Sequence, residues 1–120
     1  MKIDLNRMIQ TLKEHPDYSK MGMIASHLGV VRQNSLNGRD VTGIEVRYDQ
    51  NTIDKIIIEI KVMPGIVEVL VDISKGHLNV GDDIMAVVVG GDTREHVFPA
   101  LMDAVNNIKE HGTKKKELFK

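Results

Sequence analysis

The sequence predicts an α+β fold, and three features predict it. Apolar residues recur at helical spacing in three segments, β-branched runs bounded by glycines and polar turns lie between them, and no linker, repeat or low-complexity stretch separates the two kinds. With 120 residues, 42% of them apolar, the chain can bury one modest core, so a single domain over residues 1–120 is expected.

Residues 4–14 place Leu5, Met8, Ile9 and Leu12 on one helical face behind Asp4, a natural N-cap, with Pro16 just beyond the expected end. Met23 to Val31 reads as a strand, Gln33 to Asp40 as a mobile polar loop, and Val41 to Tyr48, where Ile44, Val46 and Tyr48 alternate, as a second strand. Residues 52–62 carry Ile53, Ile56, Ile57 and Ile60 on a helix face; the Ile-Ile-Ile run would also suit a strand, but the spacing favours helix. Ile66 to Ile73 and Ile84 to Val89 read as strands around a tight connection from Gly76 to Asp82. After Gly90-Gly91, Asp92-Thr93-Arg94-Glu95 has the spacing of a capping box. Val97, Phe98, Leu101, Met102, Val105 and Ile108 then form the stripe of a helix running to about His111 and ended by Gly112. Pro99 inside that pattern removes a hydrogen bond at a cost of roughly 3 kcal/mol, so regular helix is expected only from near Phe98. The run Lys114 to Glu117 shows no core-forming pattern and reads as solvated.

Sixteen Lys and Arg nearly cancel seventeen Asp and Glu, which leaves no basic field of the kind that general nucleic-acid binding needs. The absence of cysteine excludes disulfides, thiolate catalysis by the chain and Cys-ligated metal sites. Any sulfur chemistry must bring its sulfur on another molecule. His15, His27, His77, His96 and His111 never fall at a metal-ligand spacing, and no nucleophile elbow, P-loop or dinucleotide fingerprint occurs, so neither a metal nor a resident cofactor is expected. With no apolar run near the length of a membrane span, a soluble cytoplasmic protein is expected.

What remains is a set of cations beside turns and helix ends. Arg32 follows the apolar pair Val30-Val31 where strand becomes loop, a place suited to a bidentate grip on phosphate or carboxylate; its plainer reading is a surface ion pair with Asp40 or another acid. Arg94 falls in the first turn of the last helix, where backbone N–H groups and the helix dipole favour an anion; its plainer reading is a pair with Glu95 or Asp92. Lys109, near the end of that helix, and Lys114 to Lys116 can stabilise developing negative charge or exchange protons, but lysines there also simply oppose the dipole or face solvent.

The order of these motifs is more specific than any one of them. Gly29-Val30-Val31-Arg32, Gly76 to Ile84, Thr93 to Phe98, Ile108-Lys109 and Lys115-Lys116-Glu117 together resemble the large, catalytic subunit of molybdopterin synthase over about residues 22–117. The resemblance implies an α/β hammerhead-type fold, a mixed or antiparallel sheet with flanking helices, in a homodimer that binds a small ubiquitin-like subunit at each end. It also implies a reaction of molybdenum cofactor biosynthesis: sulfur passes from the C-terminal thiocarboxylate of that small subunit to cyclic pyranopterin monophosphate, giving the molybdopterin dithiolene. On the matching positions Arg32 and Arg94 would bind substrate, Lys109 would be the catalytic lysine, and Lys115 or Lys116 the second one, the spacing leaving both open. Thr93 stands where the family has the His of a His-Arg pair, and His27 where it has an aromatic, both at substrate-binding positions. Ser74-Lys75 replaces a second His-Arg, and the Pro-x-Trp before the terminal lysines is absent. These departures keep an alternative in view, a catalytically impaired relative that serves as a binding or scaffold homodimer for a ubiquitin-like partner or an anionic ligand.

One geometric consequence is independent of the resemblance. On a continuous helix Arg94 and Lys109 stand about 22 Å apart, too far to meet one small ligand atom, so a site that uses both requires two protomers.

Overall fold

The computed structural model describes residues 2–120. Helix α1 (Leu5–Lys13) forms where the apolar spacing places it, and Asp4 caps it by accepting a 3.0 Å hydrogen bond from the Arg7 N–H. Strand β1 (Met23–Val30) is followed by β2 (Val41–Tyr48), α2 (Gln50–Lys61), β3 (Ile66–Ile73), β4 (Gly76–Asn79), β5 (Asp83–Gly91), α3 (Arg94–Asn107) and β6 (Thr113–Phe119).

The strands make two three-stranded antiparallel sheets, in the orders β1-β5-β3 and β4-β2-β6. Strand β5 is central to the first, and its unbroken apolar run is explained by burial on both faces. Met85, Val87 and Val89 face the main core with Val97, Ala100, Ala104 and Ile108 of the α3 region and Ile53, Ile56 and Ile60 of α2. Ala86 and Val88 face a second cluster closed by Met8 and Leu12 of α1. The second sheet adds Ile44 and Val46 to the main core, and the molecule measures 49 × 25 × 24 Å.

Several expectations are corrected here. Lys114 to Glu117 is part of β6, paired with β2 from Thr113↔Tyr48 to Phe119↔Val41, although its three lysines are exposed as expected. A lysine-rich strand is unexpected from composition, yet charged residues suit the edge of a sheet, where they discourage further pairing. The connection from Gly76 to Asp82 is not only a turn, because Gly76–Asn79 forms β4 against β2. Strands β1 and β2 therefore belong to different sheets, joined by a loop closed by the bridge Asn34↔Asp40.

Helix α3 is regular from Arg94, with Pro99 inside it, rather than from Phe98. Its N-cap is Thr93, so the expected capping box does not form. Its buried stripe is Val97, Ala100, Ala104 and Ile108, while Phe98 and Met102 are exposed. The small alanines let the helix sit closely on β5, which rotates the larger apolar residues outward. The α-helix ends at Asn107 and not at His111, passing into a π turn over Ile108–Gly112.

Candidate functional site

A cleft of about 760 Å³ opens between the end of β1, the loop that follows it, and the β2–β6 ladder. Its apolar lining includes Ile44, Val46 and Met85, and its polar lining includes His27, Arg32, Ser35, Lys109, Lys115 and Glu117.

Each side chain arrives there for a local reason. His27 and Gly29 lie two apart on β1 and share a face. Arg32 follows Val31, which is locked to the β4–β5 turn by Val31 N–H to Asp82 O at 2.9 Å and Gly81 N–H to Val31 O at 2.8 Å. Ser35 is buried in the loop, where its hydroxyl donates to Asn37 Oδ1 and accepts from the Arg39 N–H at 3.2 Å. The Arg39 guanidinium lies 3.8 Å from the centre of the Phe119 ring, a cation–π contact that ties the loop to β6.

Lys109 is carried by the π turn, which the Thr113 N–H closes onto Ile108 O and the Thr113 hydroxyl reinforces at 3.2 Å. Such wide turns recur at functional positions because they re-aim a side chain without breaking the helix. Gly112 permits this one, since a Cβ there would sit 2.5 Å from Ile53 Cδ1. On β6 the alternation then separates the two candidate lysines. Lys115 and Glu117, opposite Val46 and Ile44, line the cleft, and Lys116, opposite Glu45, lies on the other face of the ladder.

Arg32, Lys109 and Lys115 therefore share one cleft, and none of them is in an ion pair among the described residues. Asp40, the expected partner of Arg32, is held instead by Asn34 Nδ2 at 3.0 Å. Three cations in no ion pair, against the single carboxylate of Glu117, leave a net positive cleft with an apolar floor that suits an anionic ligand. His27 lines the same cleft. Burial of its ring, and after that the Lys109 charge, hold its pKa below the usual histidine value, which favours the neutral form.

Arg94 and Thr93 are not in this cleft. They lie at the opposite end of the fourteen-residue α3, where Arg94 is exposed and its Nε stands 3.6 Å from Glu95. The anion expected at that helix end is supplied by the chain itself. Asp92 Oδ1 accepts from the Thr93 N–H at 2.6 Å and meets His96 Nδ1 at 2.8 Å, and the His96 bond is the main reason its carboxyl pKa is lowered.

Sequence reasoning missed Ser35 and Glu117. Glu117 carries a readable signal, two residues from Lys115 on one strand face, but only once residues 113–119 are known to be a strand.

The family model described as MoaE protein matches residues 1–111. The chain belongs to the MoaE protein family. Among solved structures, the molybdopterin biosynthesis MoaE protein of Burkholderia ambifaria MC40-6 is similar over 100% of this chain and 82% of its own, at 25% identity and a TM-score of 0.78. The molybdopterin synthase of Staphylococcus aureus superposes with a TM-score of 0.80 at 21% identity, covering 99% of this chain and 87% of its own. A complex of subunits 1 and 2 of the molybdopterin-converting factor of Helicobacter pylori 26695 aligns over 98% of this chain and 84% of its own, at 16% identity and a TM-score of 0.72. No curated protein matches the chain in sequence. The α+β fold with antiparallel sheets and flanking helices is thus the one found in solved MoaE structures. No helix among the described residues is long and apolar enough to cross a membrane.

Proposed function

We propose that this MoaE family member acts in molybdenum cofactor biosynthesis as the large subunit of molybdopterin synthase. It takes sulfur from the C-terminal thiocarboxylate of a small ubiquitin-like subunit and delivers it to cyclic pyranopterin monophosphate. Family membership supports the biosynthetic role, and the observation that carries the chemistry is the convergence of unpaired Arg32, Lys109 and Lys115 on one cleft. Both reactants are anions, a thiocarboxylate and a phosphate monoester, and each needs a cation. Arg32 at the loop end suits the phosphate, and Lys109 and Lys115 suit the sulfur donor and the negative charge that develops as it reacts. The cysteine-free chain fits a reaction whose sulfur arrives on a partner.

The protein acts as a homodimer in this reading, because α3 holds Arg94 about 20 Å from the π turn and only a second protomer can bring it to the cleft. A single-turnover assay with thiocarboxylated small subunit and cyclic pyranopterin monophosphate tests the function, the oxidised molybdopterin product being detected by fluorescence. Product from the wild-type protein and none from Lys109→Ala is expected. Partner binding without product from the wild type would replace the transferase with a scaffold.

A further inference from the structure

Strand β1 is an open sheet edge. Its one strand neighbour is β5, and among the described residues none of 23–30 makes a backbone hydrogen bond outside that pairing. The outward N–H and C=O groups are left for water or for another strand. The other three sheet edges are blunted. Strand β3 carries Glu68 and Asp72, β4 has only four residues, and β6 carries three lysines. Strand β1 has eight residues and no Asp, Glu, Lys or Arg among them, and its Leu28 and Val30 are 38% and 46% exposed. A long, uncharged, partly apolar edge pairs with other chains unless something covers it.

The separation of Arg94 from the cleft says what covers it. At one end of β1, Met23 is paired with Gly91, three residues before Arg94; at the other end, Gly29 and Val30 line the cleft. His27 and Gly29 stand opposite Val87 and Met85, on the core face of the sheet where α3 also packs. A second β1, antiparallel to the first about a two-fold axis normal to the sheet, exchanges the two ends and keeps the two faces.

Such an axis sets one residue opposite itself, and Ser26 and His27 are the two positions that pair nearly the whole strand. Centred on His27, the pairing sets Leu28 against the partner's Ser26. Centred on Ser26, it sets Leu28 against the partner's Ile24, an apolar residue of the cluster under α1. In that register Val30 lies about 13 Å from the axis and the partner's Met23 about 10 Å from it on the same side, at about 3.3 Å per residue. The start of the partner's α3 therefore comes to the mouth of the cleft, on the face where Arg32, Lys109 and Lys115 converge.

We propose that β1 is the homodimer surface, pairing antiparallel with the β1 of a second copy about an axis at Ser26, so that each protomer's Arg94 completes the other's cleft. The need for Arg94 in the site rests on the proposed sulfur transfer; the pairing itself is tested without turnover.

The native chain has no cysteine, so a single introduced one reports the contact. Ser26→Cys sets two thiols opposite each other with Cα atoms about 4.5–5.5 Å apart, within the range of a disulfide. On mild oxidation most of this variant should run as a covalent dimer on a non-reducing gel, and Glu59→Cys, at an exposed position of α2, should not. Leu28→Lys puts a charge into the pairing. It should weaken self-association by about 10-fold or more in sedimentation, and product formation should fall in step and return with it at higher protein concentration. A dimeric wild type with Ser26→Cys unlinked, equal linking in the two cysteine variants, or wild-type self-association in Leu28→Lys would overturn this surface and leave the sulfur-transfer reading standing. A monomeric wild type would overturn the surface and the shared site together. Linking through Ser26→Cys with no product from the wild type would support the surface and overturn the reaction.

Discussion

Lys115 stands directly opposite Val46 in the β2–β6 ladder, and that register turns its side chain into the cleft shared with Lys109. The neighbouring Lys116 stands opposite Glu45 and lies on the other face. A strand sends adjacent side chains to opposite faces, so the pairing places only one of the two lysines in the cleft. The register also brings Glu117 into the cleft, two residues on from Lys115.

The separation of Arg94 from Lys109 along α3 makes a prediction about dimers. Arg94→Ala and Lys109→Ala should each be inactive alone. In a random mixture of the two, half of the dimers are mixed and each of those keeps one intact site, so about a quarter of wild-type activity should return. Activity that does not rise on mixing would place Arg94 outside the site.

Packing predicts an unstable variant far from the cleft. Gly22 donates its N–H to Gly91 O at 2.8 Å, and a Cβ on it would collide with the Asp92 carbonyl oxygen, which is backbone and cannot swing aside. Gly22→Ala should lose about 2 kcal/mol or more in urea unfolding. Gly29→Ala, which meets only ordinary contacts, should stay near the wild type in the same measurement.

Much of the fold was legible where local signals and tertiary packing agree. Asp4 caps α1, Ile53, Ile56 and Ile60 bury one face of α2, and β3 and β5 follow their apolar runs. Strand β6 was not legible, because four consecutive charged residues look solvated until the open edge of β2 is there to pair with them. Nor was the rotation of α3, since Ala100 and Ala104 carry weak hydrophobic signals beside Phe98 and Met102 yet fit closest to the sheet. Arg32, His27 and Lys109, named from their motifs, fall together in the cleft while Thr93 and Arg94 do not, and that Lys115 rather than Lys116 lines it had to wait for the strand.

Stability should respond to pH through His27. Its pKa in the folded protein lies below the value of about 6.5 expected for the unfolded chain. Between those two values the unfolded state binds more protons, so stability rises with pH there and is lost as the pH falls below about 6.5. His27→Phe should remove that part of the pH dependence, and Lys109→Ala should shrink it by removing the second cause of the shift. Urea midpoints between pH 7.5 and pH 5 check both.

The most direct measurement compares Lys115→Ala with Lys116→Ala in the single-turnover sulfur-transfer assay. Removing the cleft lysine should slow product formation by about 100-fold or more, the scale seen when one preorganised cationic or hydrogen-bonding group is lost from a reacting centre. Removing the lysine on the far face should leave the rate within a few-fold of the wild type. Equal losses in the two variants, or a greater loss in Lys116→Ala, would contradict the assignment of this cleft as the site of sulfur transfer.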